Sequence, residues 1–481
     1  MKKSVPFTIL VIVSALSLPA SGNAASLLEV YQQALQSDPR IHEAEARRLA
    51  ALEAEPQARG LLLPQIDFGG SWQSTESSGT SVFDDFSGVA RSVNTDSDED
   101  VTQWGFELRQ TLFRWDQVVG LRQADKIVAK AEADREAAQQ DLIVRVTQSY
   151  FDVLAAEDRL RAIHANRQAI ARQLEQAKQR FEVGLIAITD VQESQAAYDQ
   201  SVADEIAAKR TLATAREFLR EITGEYIAEL SAPGEQLPLN TPSPASEVAW
   251  IDLAMSQNLA LVASRLDGQL ARDEISYRRT GHYPTIDLVA RTGEYETDGE
   301  RITDNLVPPF DPPRNTSITD SDGSRDSISI QFNLPLFSGG TTSSRVREAV
   351  YLHRAAREQL QRVTRETERQ TRDAYLGVLS EISRVKALEQ AVASSTTALE
   401  ATQAGFDVGT RTIVDVLNSQ FALYQAITNY YQSRYDYLLN VMRLKQAAGT
   451  LEIRDLESLE PFLVARKTPE QEFAEEASAT E

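Results

Sequence analysis

The stretches FEVGLIAITDVQESQ at 181–195 and FDVGTRTIVDVLNSQ at 406–420 bring together Thr189, Asp190, Arg411 and Asp415, residue types that can pair charges across a short gap. A guanidinium offers a planar fork of donors that a carboxylate accepts, so ion pairing is the chemistry open to them. Judged on residue types alone, such a pair is an exposed salt bridge worth at most about 1 kcal/mol. Asp415 alone reads equally well as a first-turn carboxylate favoured by the helix dipole. Catalytic chemistry has less material. His42, His164, His282 and His353 are scattered without ligand spacing, and there is no cysteine, so zinc sites, disulfides and thiol catalysis find no support. No nucleophile–base pairing, phosphate loop or metal constellation appears. The expectation is a protein that is not an enzyme and has no cofactor and no metal.

The two stretches agree at eight of fifteen positions and lie 225 residues apart. Repetition extends beyond them. LPQIDF at 63–68 answers YPTIDL at 283–288, TLF at 111–113 answers PLF at 335–337, and YFDVL at 150–154 answers YLGVL at 375–379. The order is kept while the offset drifts only from 220 to 225, which marks an internal duplication. The organisation expected is repeat 1 over 25–230, a Pro-rich linker over 231–246, repeat 2 over 247–452 and an acidic tail over 453–481, expected to be partly disordered.

Lys2 and Lys3 precede an apolar run from Val5 to Leu18, and small residues around Ala24 offer a cleavage site, so 1–24 reads as a signal peptide. That run is about 14 residues, short of the roughly 20 a membrane helix needs. No later stretch is as apolar, so the mature chain either stays in an exported aqueous compartment or enters a membrane as strands. The formal charge of -22 argues against nucleic acid and anionic lipid as partners.

Within each repeat the elements follow one plan. A helical segment, Leu27 to about Gly60 or Val248 to about Thr280, ends at Pro64 or Pro284. Alternation of period two follows. Ile66, Phe68 and Trp72, then Trp104, Phe106, Leu108 and Leu112, face one way in the first copy, while Asp67, Gln103, Glu107 and Arg109 face the other. Ile286, Leu288 and Ala290, then Ile328, Ile330, Phe332, Leu334 and Leu336, do so in the second. Strands are expected near 63–73, 101–113, 283–294 and 326–337, each about the ten residues a tilted strand needs to cross a bilayer. A half-buried strand in a soluble sheet alternates in the same way. The polar, acidic segments 77–100 and 297–326 read as long outward loops and favour the membrane.

After the strands, 116–182 and 344–407 contain no proline, and each predicts one helix of roughly 65 residues, or about 100 Å. Gly184 and Gly409 break the pattern and shorter helices return, so the quoted stretches are expected to be the turns of two helical hairpins. A long coiled coil is the competing reading. A sheet facing lipid must close, because unpaired edges cost several kcal/mol per group. Four strands per chain cannot enclose a lumen, whereas three chains supply twelve; this arithmetic favours a trimer and leaves four chains open.

FEVGLIAITDV at 181–191, GTRTIVDVL at 409–417, NLPLFSGG at 333–340 and RYDYLLNVMRLKQAAGTL at 434–451 resemble the TolC family of outer-membrane efflux and secretion ducts, and the likeness covers nearly the whole mature chain. The resemblance implies an α+β fold: an all-α tunnel barrel of very long helices plus a transmembrane β-barrel completed by trimerisation. It implies a homotrimer in outer-membrane lipid, recruited by a periplasmic membrane-fusion adaptor protein and an inner-membrane transporter of ABC, RND or MFS type, and passing drugs or secreted proteins. It implies adaptor docking at the hairpin tips, Gly184, Leu185, Gly409 and Thr410. In the family an arginine matching Arg411 bonds a threonine and aspartate matching Thr189 and Asp190, which closes the periplasmic mouth. A charge ring matches Asp415, and its usual second aspartate is here Asn418; Phe406 stands where a family tyrosine bonds the latch aspartate, and has no hydroxyl to do so. The alternative from another class is a periplasmic coiled-coil adaptor that never enters lipid.

Overall fold

A computed structural model describes residues 24–84, 88, 90–234, 237–305 and 315–480. Residues 1–23 of the expected signal peptide 1–24, residues 235–236 of the linker and parts of both expected outward loops, including 306–314, lie outside the described residues. The chain divides into two compact units, and each draws on both sequence repeats.

The first unit takes residues 1–46, 133–262 and 362–481. It holds all or part of α1 (Leu27–Ser37), α2 (Pro39–Leu52), α4 (Trp115–Glu182), α5 (Ile188–Thr223), α6 (Glu247–Gln257), α8 (Thr341–Asp407), α9 (Ile413–Ala448), α10 (Ile453–Glu457) and α11 (Pro469–Thr480). The duplication is visible in helix length. Helices α4 and α8 run 68 and 67 residues, and α5 and α9 run 36 each. Their shared core includes Leu27, Tyr31, Leu142, Tyr150, Leu154, Leu212, Val378, Tyr435, Met442 and Leu444, all buried. Of the tyrosines clustered on α9, Tyr435 and Tyr437 are buried, and Tyr435 stacks on Phe151 with centroids 5.5 Å apart. Packing explains them.

The expected opening helix of each repeat is two or more shorter ones. In repeat 1 the break falls at Asp38, where Pro39 brings no N–H and the Asp38 carboxylate accepts from the amides of Arg40 at 2.7 Å and Ile41 at 3.1 Å. In repeat 2 the matching position is Asn258, whose Oδ1 accepts from the Leu261 amide at 3.0 Å while its Nδ2 donates to the Ala447 carbonyl at 2.9 Å. The tail departs further from expectation. Residues expected to be disordered form α11, held by Glu470 on Arg216 at 2.8 Å, Glu472 on Arg161 at 2.8 Å and Phe473 stacked on His164. A short strand, β6 (Leu463–Ala465), leads into it and pairs antiparallel with β3 (Ser231–Pro233) of the linker.

The second unit, 47–132 and 263–361, contains α3 (Ala54–Gly60), α7 (from Leu259–Arg279) and one antiparallel sheet of β1 (Gln65–Asp84), β2 (Ala90–Phe113), β4 (Thr285–Asn305) and β5 (Asn315–Asn333), in the order β1-β2-β4-β5. The strands are twice the expected length and run through most of the segments read as loops. Alternation marks only where side chains face an apolar medium, whereas ladder hydrogen bonds belong to the backbone and continue past it. At its other end β5 stops at Asn333, short of Leu334 and Leu336, because Pro335 has no N–H for the ladder.

Cross-strand partners share a face. Ile66, Leu108, Ala290 and Ile328 are in register, as are Phe68 with Phe106, Leu288 with Ile330 and Ile286 with Phe332, and Ile66, Phe68, Phe106, Ile328, Ile330 and Phe332 are exposed in the single chain. The opposite face carries Asp67, Glu107, Arg291 and Ser327 in one row and Gln103 and Tyr295 in another. Gly105 and Gly293 are paired so closely that a Cβ on Gly105 would sit 2.5 Å from the Thr292 carbonyl oxygen. Among the described residues, β1 and β5 each pair on one side only.

Candidate functional site at the hairpin tips

Both quoted stretches fold as the same turn. Gly184 and Gly409 adopt φ of 76° and 79°, the left-handed region that only glycine enters without strain. The Gly184 amide donates to the Phe181 carbonyl at 2.9 Å and the Leu185 amide to the Arg180 carbonyl at 2.9 Å; the Gly409 and Thr410 amides repeat this on Phe406 and Gly405 at 3.0 and 2.8 Å. These are Schellman closures, which satisfy the last carbonyls of α4 and α8. Each tip has a small core of its own: Leu174, Ala177 and Val191 in the first, Phe406, Ile413 and Val416 in the second. Beyond these cores Val183, Leu185 and Val408 project with 70%, 74% and 76% of their surface exposed, an apolar end that a single chain does not cover.

The restarts differ. Helix α9 begins with a capping box: the Thr412 hydroxyl accepts from the Asp415 amide at 3.2 Å, and Asp415 Oδ2 accepts from the Thr412 amide and hydroxyl, each at 2.9 Å. These two donors, with the Arg411 charge beside them, hold the Asp415 carboxyl below the usual carboxylate range. Ala187 occupies the matching place before α5, which starts with no side-chain cap. The signal was present in the sequence as Thr412 three residues ahead of Asp415.

Of the residues singled out by sequence, the fold places Thr189 and Asp190 in the first turn of α5 and Arg411 in the exposed link between Gly409 and α9. Within one chain it does not join them: no hydrogen bond or ion pair runs from Arg411 to Thr189 or Asp190 among the described residues. Asn418 is exposed one turn beyond Asp415, and Phe406 is buried. What sequence reasoning missed is Arg180. Its Nη2 donates to Asp407 Oδ1 at 3.0 Å, and its guanidinium lies over the Phe406 ring, 4.8 Å from the centroid. No local pattern marks this contact, because the partners are 227 residues apart.

No described helix is long and apolar enough to cross a membrane, and no group of three or more His, Asp or Glu among the described residues could hold a metal ion. Comparison with known proteins adds a wider frame. The sequence model of the outer membrane efflux protein family matches residues 30–225 and again 250–450. The chain is 37% identical over 468 residues to the outer membrane protein TolC of Vibrio cholerae serotype O1, covering 97% of this chain and 100% of that protein. It is 29% identical over 452 residues to the alkaline protease secretion protein AprF of Pseudomonas aeruginosa, covering 93% and 89%. Among solved structures, the outer membrane protein VceC from Vibrio cholerae shares the fold, with a TM-score of 0.68 at 19% identity over 88% of this chain and 96% of that one.

Proposed function

This chain belongs to the outer membrane efflux protein family, and from that premise we propose how its strands close and its hairpin tips work. It is an outer-membrane exit duct for efflux or secretion with a periplasmic tunnel, and the adaptor alternative is set aside. The near full-length family match carries that conclusion.

The assembly is proposed to be a homotrimer. Support comes from the sheet: one face is apolar and exposed, and both edges need partners that a single chain lacks. Three chains would supply twelve strands and leave an aqueous lumen. The polar face bearing Glu107, Arg291 and Gln103 then lines that lumen, and the duct passes its cargo without transforming it. The two repeats, 25–230 and 247–452, and the linker between them are part of this proposal, and the double family match supports it.

The hairpin tips are proposed as the periplasmic mouth. Arg411, unpaired with Thr189 and Asp190 within its own chain, would reach those residues on the neighbouring chain and latch the mouth. Asp415 would form the constriction ring with Asn418 as its neutral second level. The apolar end around Gly184, Leu185, Gly409 and Thr410 would dock a periplasmic adaptor protein, which joins the duct to an inner-membrane transporter of ABC, RND or MFS type. The name of the secretion relative supports protein cargo as one class, and drugs are the other.

The test is reconstitution. Purified mature protein should form a heat-resistant oligomer in detergent and ion-conducting pores in planar bilayers, whereas a water-soluble monomer without pores overturns the reading. Arg411→Ser should raise single-channel conductance, and an unchanged conductance removes the Arg411 latch.

A further inference from the structure

We propose that Arg180 ties the second hairpin tip to the first within each chain, and that this tie helps to hold the mouth closed. Its consequence for the mouth rests on the duct reading; its geometry does not. Arg180 sits in the last turn of α4, where the carbonyl end of the helix favours a cation. From there one side chain makes two contacts with the end of α8: the 3.0 Å hydrogen bond to Asp407 and the cation–π contact with Phe406. Asp407 is half exposed, but Phe406 is anchored in the tip core against Ile413 and Val416, so the guanidinium grips a fixed surface. Among the described residues, no other hydrogen bond or ion pair links 174–195 to 399–416.

The tie is one-sided. In the repeat alignment Arg180 corresponds to Gly405, which has no side chain to reciprocate, and a Cβ there would meet Arg411 Cγ at 2.8 Å. Parting 399–416 from 174–195 therefore breaks one hydrogen-bonded contact set per chain, the next polar link between the hairpins being Gln420 Nε2 to the Asn166 carbonyl at 3.3 Å. An exposed pair with a ring under it is worth roughly two- to tenfold in an equilibrium. If opening is concerted in a trimer, three such factors multiply. Because the pair is exposed, salt weakens it, with a Debye length of about 8 Å at physiological ionic strength.

Amide hydrogen exchange over 405–413 of the purified full chain reads the tie without any pore. Arg180→Gln and Asp407→Asn should each speed exchange there by roughly two- to tenfold, the double substitution should add little, and the charge swap R180D/D407R should restore protection. Equal rates in wild type and both single variants, or a swap that restores nothing, overturn the tie. Arg180→Lys, which keeps the charge and loses the fork, should give an intermediate rate and guards against a folding defect. Planar-bilayer recordings then separate the two claims. Pores from the wild type with higher mean conductance in Arg180→Gln support the tie as a gate element, and pores with identical conductance reject that role. Absence of wild-type pores sinks the duct reading and leaves the exchange result to judge the tie.

Discussion

Thr412 and Asp415 cap each other at the start of α9: the Asp415 amide donates to the Thr412 hydroxyl at 3.2 Å and the Thr412 amide donates to the Asp415 carboxylate at 2.9 Å. The reciprocal bond fixes the backbone where the second hairpin restarts. Thr412→Ala should speed amide exchange at 413–416 by roughly fivefold. The first hairpin supplies the converse: Ala187→Thr places a capping hydroxyl ahead of Asp190 and should slow exchange at 188–191. If neither segment responds, the cap contributes nothing to the tips.

The same cap dictates a pH dependence. Asp415 ionises more readily in the folded chain than its ordinary value of 3.8 implies, chiefly through the Thr412 amide and hydroxyl. A carboxyl with a depressed folded-state pKa contributes stability above its unfolded value, and that stability fades as pH falls through the folded value. Tip protection should therefore be flat above about pH 5 and decline only below 3.8, and Asp415→Asn should abolish the decline. A decline that survives in Asp415→Asn would assign it to another group.

Asp415 has a second proposed role. Its Oδ2 is taken by the cap, so in the proposed ring Oδ1 would be the oxygen that meets a cation. In planar bilayers Asp415→Ala should weaken block by a trivalent cation, and Asn418→Asp should strengthen it by restoring a doubled ring. An unaltered block in both variants removes these positions from the constriction.

Tyr435 and Asp158 test the buried network that holds β6 near the start of the tail. The Tyr435 hydroxyl donates to Asp158, which also accepts from Arg161 at 3.2 Å and from Arg466. Burial, with the Asp158 charge next in weight, pushes the phenol well above its ordinary range. Tyr435→Phe should lower stability by about 1.5–3 kcal/mol, the range for a bond to a charged group, measured as the denaturant midpoint of the detergent-solubilised protein. A loss under about 0.5 kcal/mol would mean that the two arginines alone satisfy Asp158.

The two sheet faces should respond oppositely to charge. Phe106→Arg puts a cation on the apolar face, at a cost of about 2–4 kcal/mol if that face meets the bilayer midplane. Gln103→Arg puts the same residue on the polar face. Yield of heat-resistant oligomer should collapse for the first and hold for the second; equal yields would reject the assignment of faces.

The sequence by itself determined the duplicated plan, the long helices and the two glycine turns. These follow from local rules: absence of proline sustains a helix, and a left-handed turn selects glycine at 184 and 409. Four alternating segments also announced the strands and the face each presents. Their length was not legible, because alternation reports what side chains meet and stops where the apolar surroundings stop, while the ladder of β2 continues from Phe113 to Ala90. Neither was the ordered tail, whose helix α11 depends on Arg161, Arg216 and His164, each more than 250 residues away in sequence. Only the tertiary structure decided that Arg180 meets Asp407 and Phe406, while Arg411 makes no hydrogen bond or ion pair to the first tip among the described residues. Contacts between segments this far apart follow from how helices pack, and no local spacing encodes them.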